Sequence, residues 1–273
     1  MEHGTVRLGD AALHFTRWGE GGEVLLAFHG FGQHRGYFGP LADALGNTYT
    51  VYAFDLFFHG QSTWRARNGT LAKPRWAELV AAFLQQQGVE RFGLLGFSMG
   101  GKFVLATLEA MPDRVTRVVL LAPDGIKTSF WYSLATYPGW TDRFFRHLTV
   151  KPGAFRSLVR LFRRLRLVDK GVLRFAESQM NTREQRLRVY RSWTTFREMH
   201  FDLARIASQL NEHRIPLVMY LGRYDRIITR RNMGRLLDQV PHHRLVVLPA
   251  GHNRLIADVA AYYRTNGGWY NGQ

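Results

Sequence analysis

The sequence predicts an α/β fold: a mostly parallel central sheet with helices on both faces, interrupted by one helical insertion. Three observations predict it. Short apolar runs alternate with helix-periodic stretches over roughly the first 124 residues. That alternation stops near Gly125 and is replaced by Arg-rich amphipathic stretches as far as His200. Apolar runs then return, each ending at a polar loop. Strands alternating with helices bury a parallel sheet between helical layers. A block without strands, placed between two strand-rich parts, is best read as an insertion at one end of that sheet. The expected organisation is a core of residues 1–124 and 201–273 with a helical cap at 125–200.

The elements follow in order. "ALHFTRW" (Ala12–Trp18) has the period of a strand, and "EVLLAFHG" (Glu23–Gly30) is an apolar run that suits a buried one. Pro40–Leu45 reads as a helix and "YTVYAFDL" (Tyr49–Leu56) as a strand. Trp76–Gln87 spaces its apolar residues near three and four and stops at Gly88. "RFGLLGF" (Arg91–Phe97) is a strand, Met99–Met111 a helix, and "RVVLLAP" (Arg117–Pro123) a strand ended by proline. Beyond the insertion, "IPLVMYLGRYD" (Ile215–Asp225) and "HRLVVLPAGH" (His243–His252) are the last strands.

Composition narrows the function classes. Apolar residues make up 46% of 273, which argues against a disordered chain. There is no cysteine, so disulfides and Cys-ligated metals are excluded. The N-terminus lacks a basic-then-apolar leader pattern, and no run reaches the ~18 apolar residues of a membrane span. The chain is expected to be soluble and cytoplasmic. No H-E-x-x-H or tight His/Asp cluster appears, and no phosphate-binding glycine motif follows a strand. Neither a metal nor a nucleotide cofactor is expected.

The formal charge is +16, and it is uneven. Between Ile126 and Arg205 there are 17 Lys and Arg against 6 Asp and Glu. Such a field attracts anionic partners, an acidic carrier protein or an anionic membrane surface among them, although solubility alone also accounts for it. Nucleic acid is not an expected partner, because no recognised binding motif accompanies the charge.

The chemistry concentrates in "LLGFSMGGKF" (Leu94–Phe103), where a serine sits between glycines as a strand turns into a helix. A serine hydroxyl is a weak nucleophile until a base takes its proton and donors stabilise the oxyanion. A sharp strand-to-helix turn pushes Ser98 out of the sheet's end and sets the Met99 N–H beside the helix's positive end. Gly96 and Gly100 leave room where a Cβ would clash. G-x-S-x-G alone is a weak signal; the strand before it and the helix after it are the context that strengthens it.

Three further pieces fit. "AFHGFGQH" (Ala27–His34) follows a buried strand and can aim the Phe31 N–H at the same place, with His29 pinning the loop. "GRYDRI" puts Asp225 just past a strand, and "PAGHNRL" puts His252 just past the last one. A base of this kind needs a histidine held in one tautomer by a carboxylate. Asp124, in "LLAPDGI", also follows a strand and is the alternative acid; its other reading is a cap at the start of the insertion.

Taken in order, H-G-F-G, "FDLFFHGQS" (Phe54–Ser62), G-F-S-M-G-G, G-R-Y-D and G-H resemble the signposts of the α/β-hydrolase-fold serine hydrolases. The likeness covers most of residues 5–125 and 205–265, and the cap least. It implies Ser98 as nucleophile, His252 as base then acid, Asp225 as its orienting partner, and the N–H groups of Phe31 and Met99 as the oxyanion hole. Phe57 and Phe58 stand where the common form has Pro-Gly. That loop is usually structural, so Asp55 and His59 receive no catalytic role. The expected activity is cofactor-independent hydrolysis of small carboxylic esters. Thioesters or carrier-linked acyl esters, cleavage of carbon–carbon bonds, and a non-catalytic ligand-binding homologue are the alternatives. The insertion is aromatic as well as basic, with Trp131, Tyr132, Trp140, Tyr190, Trp193 and Phe196 among its residues. Such a stripe packs more often than it binds.

Overall fold

The chain opens with a hairpin whose first strand lies outside the expected elements. Strands β1 (Glu2–Leu8) and β2 (Ala11–Trp18) pair antiparallel around the two-residue turn Gly9–Asp10, where Gly9 has φ +54°. Only Val6 of β1 is buried, so this edge strand carries little of the alternation that marks a strand in sequence. The Gly-Asp dipeptide is its one legible signal.

The computed structural model describes residues 1–65, 69–127, 146, 147, 149, 151–165, 173 and 177–269. Among them the strands form one nine-stranded sheet. Its members after the hairpin are β3 (Glu23–Phe28), β4 (Tyr49–Phe54), β5 (Thr63–Trp64), β6 (Phe92–Phe97), β7 (Val115–Leu121), β8 (Leu217–Gly222) and β9 (Arg244–Leu248). The order is β1-β2-β4-β3-β6-β7-β8-β9, with the short β5 also on β2. Every pair from β4 to β9 is parallel. The chain steps outward from β3 to β4, then crosses back to β6 on the other side of β3. That reversal opens a crevice beyond the carboxyl ends of β3 and β6, where open parallel sheets bind their ligands.

The helices are α1 (Gly39–Leu45), α2 (Lys73–Gln87), α3 (Gly100–Ala110), α4 (Pro152–Leu165), α5 (Arg183–Thr195), α6 (Leu203–Glu212), α7 (Arg230–Leu237) and α8 (Leu255–Asn266). Helix α2 starts three residues before the expected Trp76, because Pro74 sits in the first turn, where its missing N–H costs nothing. Its stop is Gly88 in the left-handed region, whose N–H bonds the carbonyls of Leu84 and Gln85. The core beneath β3 and β4 is aromatic. Phe28 packs on Phe54, Trp76 and Phe103, and Phe83 meets Phe15, Tyr52 and Phe54 edge-on. The buried Trp76 Nε1–H donates to Thr107 Oγ1 at 2.9 Å, so this ring leaves no orphan donor.

The chain divides into two compact units. The first is Met1–Asn68, Ala72–Lys127 and Met199–Gln273; the second is Gly69–Leu71 with Thr128–Glu198. The short 69–71 segment groups with the second because Leu71 N–H donates to Thr195 O at 2.7 Å and Thr70 Oγ1 to Glu198 Oε1 at 2.5 Å. In the second unit the expected amphipathic stretch Phe155–Lys170 is helical to Leu165; Arg166–Lys170 lies outside the described residues. Trp131, Tyr132 and Trp140 lie outside them too. Helix α5 begins with a reciprocal capping box between Thr182 and Gln185. Its Arg186 is buried, donating to the carbonyls of Thr149, Met180 and Asn181. Val189 and Phe196 are buried with it, and Tyr190 and Trp193 half-buried.

Candidate active site

Ser98 follows the last residue of β6 and has φ +49°, a left-handed conformation that a serine adopts only under constraint. The constraint is close packing of helix on strand. A Cβ on Gly96 would lie 2.6 Å from Val104 Cγ2, and one on Gly100 only 1.9 Å from the Phe28 carbonyl oxygen. Both peptide groups of Ser98 are held. Its N–H donates to Leu121 O at 3.0 Å, and its carbonyl accepts from Gly101 N–H and Asp124 N–H, each at 2.8 Å. The strained turn is thus tied both to the start of α3 and to the segment after β7.

His252 opens a short 3-10 turn after β9, and its ring lies tilted on Phe97, centroids 5.0 Å apart. Its Nε2 is 3.0 Å from Ser98 Oγ, and its Nδ1 is 2.6 Å from Asp225 Oδ2. The Asp225 side chain is fully buried. Its other oxygen, Oδ1, accepts the N–H groups of Ile227 (2.8 Å) and Ile228 (2.9 Å). A carboxylate so placed accepts a hydrogen bond from Nδ1–H, which keeps the proton on Nδ1 and leaves Nε2 as an acceptor facing the serine. The three sequence-selected residues meet in one chain of hydrogen bonds.

The alternative acid has other partners. Asp124 accepts Gly125 N–H at Oδ1 (2.7 Å), and its Oδ2 lies 3.3 Å from Lys102 Nζ.

The loop after β3 is pinned from several sides. His29 Nε2 accepts Leu56 N–H at 2.9 Å, so its Nδ1 carries the proton and donates to Gly30 O at 2.7 Å. His59 does the same one loop away: Nε2 accepts Gly32 N–H at 3.0 Å and Nδ1 donates to Phe57 O at 3.0 Å. Gln33 Oε1 accepts Gly30 N–H at 3.1 Å. The buried Asp55 accepts from Arg35 N (2.8 Å), the Arg35 guanidinium and Gln61 N (2.9 Å). Phe31 and Met99 follow β3 and β6, neighbours in the sheet. Among the described residues neither N–H has a protein acceptor. A cavity of about 410 Å³ borders this loop and the start of α8, lined by Gln33, His34, Tyr37, Pro40, Asn253 and Ile256 among others.

Sequence reasoning passes over Arg35, Gln33 and Lys102. Lys102 carries the clearest signal, a charged residue inside the apolar stretch "GGKFVLATL". Among the described residues no three His, Asp or Glu side chains group as metal ligands, and no helix is long and apolar enough to cross a membrane.

Comparison with known proteins agrees with this architecture. A 132-residue segment is 36% identical to the dihydrolipoyllysine-residue acetyltransferase component of the acetoin cleaving system of Cupriavidus necator, covering 48% of this chain and 33% of that protein. The chain thus spans only a third of the length of that relative. The pimeloyl-[acyl-carrier protein] methyl ester esterase of Nitrosomonas europaea is 23% identical over 258 residues, 89% of this chain and 93% of that enzyme. An esterase of Thermogutta terrifontis superposes with a TM-score of 0.71 at 19% identity, over 97% of each chain. Residues 23–258, from strand β3 into helix α8, match the model of one family, and by that match the chain belongs to the α/β hydrolase fold family.

Proposed function

We propose that this chain is a cofactor-independent serine hydrolase that cleaves carboxylic esters through an acyl-enzyme on Ser98. The observation that carries the reading is the relay Ser98 Oγ to His252 Nε2 at 3.0 Å and His252 Nδ1 to Asp225 Oδ2 at 2.6 Å. Ser98 Oγ attacks the carbonyl carbon as Nε2 takes its proton. The carbonyl oxygen becomes an oxyanion, held by the N–H groups of Phe31 and Met99. Collapse breaks the ester C–O bond, and the leaving oxygen takes the proton back from Nε2. Water then yields a proton to Nε2 and attacks the acyl carbon; collapse breaks the bond to Ser98 Oγ, which takes the proton back from Nε2 as the acid leaves. Asp225 keeps the imidazole in the useful tautomer and stabilises the imidazolium that forms. In the same reading the 125–200 insertion is the helical cap that selects the substrate, and a cysteine-free chain suits the reducing cytoplasm.

The test is hydrolysis of short- and medium-chain p-nitrophenyl esters. Wild type should give turnover with an initial burst. Ser98→Ala and His252→Ala should each lose about 10⁴-fold or more, and Asp225→Asn about 10³–10⁴-fold, in folded protein. Inert wild type, or full turnover by Ser98→Ala, would overturn the assignment.

A second reading concerns the substrate alone. The excess of cations in the insertion favours a carrier-linked acyl ester or thioester, and the Nitrosomonas relative is named for an ester on an acyl-carrier protein. Arg160, Arg164, Arg183 and Arg191 are exposed there. Steering by such a field fades with salt. A steep fall of kcat/KM for carrier-bound substrate between low and high ionic strength, absent for a neutral free ester, would favour it.

A further inference from the structure

We propose that the ion pair between Lys102 and Asp124 is a positioning device for Ser98, holding the nucleophile's strained turn in its reactive conformation. This rests on Ser98 being the nucleophile. Lys102 is on the first turn of α3, four residues past Ser98, yet it is 4% exposed. A buried lysine carries a large desolvation cost and is retained only with its charge met. Its ammonium lies 3.3 Å from Asp124 Oδ2, and the other oxygen of that carboxylate accepts Gly125 N–H at 2.7 Å.

The pair closes a ring. From Ser98 the chain runs through Met99 into α3 and reaches Lys102. The ion pair crosses to Asp124, and the Asp124 N–H returns to Ser98 O at 2.8 Å. Leu121, three residues earlier, accepts the Ser98 N–H. Both peptide groups of the serine therefore bind the segment 121–124, and that segment is itself strained. Ala122 has φ +40°, unusual for a residue with a side chain. Two adjacent strained positions persist only where the surroundings over-determine them. The Lys102–Asp124 bridge ties this segment to α3 through a charged contact. It meets close packing there, since a Cβ on Gly101 would lie 2.6 Å from both Asp124 O and Pro123 Cβ. Freed of the bridge, segment 121–124 can drift, and Ser98 drifts with the hydrogen bonds it makes there. A shift of about 1 Å in a nucleophile costs on the order of a hundredfold in rate.

The test separates positioning from folding and from the choice of nucleophile. Asp124→Asn keeps the acceptor for Gly125 N–H but removes the negative charge beside a buried cation, so it is expected to lower the Tm as well as the rate. The double variant Lys102→Met/Asp124→Asn removes both charges, nearly keeps the volume and keeps the acceptor for Gly125 N–H, so its Tm should return close to that of wild type. The reading is the second-order rate of Ser98 labelling by a small fluorophosphonate, together with kcat and KM for p-nitrophenyl butyrate. Labelling and kcat of the double variant should fall at least tenfold while KM stays within twofold. Lys102→Arg should recover part of that loss relative to Lys102→Met. A double variant with restored Tm that labels at the wild-type rate would overturn the proposal and leave the pair a packing element. Wild type that is not labelled at Ser98 would overturn the nucleophile assignment instead.

Discussion

Gly100→Ala tests whether close packing holds the turn at Ser98. The new Cβ would stand 1.9 Å from Phe28 O, 2.5 Å from Phe28 C and 3.0 Å from His29 O. Ordinary contact begins at 3.4 Å, so the first clash is short by about 1.5 Å. All three atoms are main chain, in β3 and the loop that bears Phe31, and no side chain can swing aside. Either α3 must lift from β3 or the loop must move. Overpacking of this kind costs about 3 kcal/mol or more. In a domain of this size each kcal/mol lowers the Tm by roughly 2–4 °C, so a fall of about 6–12 °C is expected. The activity should fall further than the stability, because Ser98 and Phe31 sit on the two parts pushed apart. A displacement near 1 Å implies about a hundredfold lower kcat. Gly39→Ala is the control: it has αR angles and nothing within 4 Å, so it should leave both readings unchanged. The assay is differential scanning calorimetry with kcat on p-nitrophenyl butyrate. Gly100→Ala with the Tm and kcat of the Gly39→Ala control would refute the packing argument.

Two further outcomes are expected. His14 is held below its usual pKa of 6.5, first by burial and then by Arg35 and Arg7, with Asp55 opposing. The unfolded chain therefore takes up this proton before the native one as the pH falls. The stabilisation is present above 6.5 and is lost as the pH drops through the native value. Urea midpoints at pH 7.5 and 5.5 should fall more for wild type than for His14→Gln; equal falls would remove His14 as the cause. In the second unit, Thr182→Ala breaks the capping box with Gln185 and should destabilise α5 by about 1 kcal/mol. Faster hydrogen exchange confined to the first turn of α5 is the reading, and unchanged protection there would count against the cap's contribution.

Much of the sheet is legible in the sequence because burial leaves a local mark. Strands β4, β6 and β8 are buried at every position and β3 from Leu25 onward, so each appears as a continuous apolar run. Ends are less legible. The apolar residues of α2 place its start at Trp76, whereas the helix begins with the polar Lys73 and with Pro74. Edge strands leave the weakest mark, since half-exposed β1 mixes Glu, His and Thr with one buried Val6. Its pairing is a property of the partner strand β2 and of a two-residue turn, not of its own periodicity.

The same distinction separates the site residues that sequence selects from those it misses. Ser98, Asp225 and His252 each stand just past an apolar strand, at the end where a parallel sheet gathers its chemistry. Position along the chain is therefore enough to select them. The choice between Asp225 and Asp124 is of another kind. Both follow a strand, so local pattern leaves both open, and the partners differ only in space: His252 for one, Lys102 for the other. Lys102, Gln33 and Arg35 act on the site through contacts with main-chain atoms or carboxylates up to 22 residues away in sequence. No local pattern encodes such contacts. What sequence can register is the anomaly they leave, a charge where an apolar residue is due. The lysine in "GGKFVLATL" is such an anomaly: a cation on a helix face that must be buried demands a counter-charge. A search for its carboxylate leads to Asp124, the aspartate that the relay leaves unassigned.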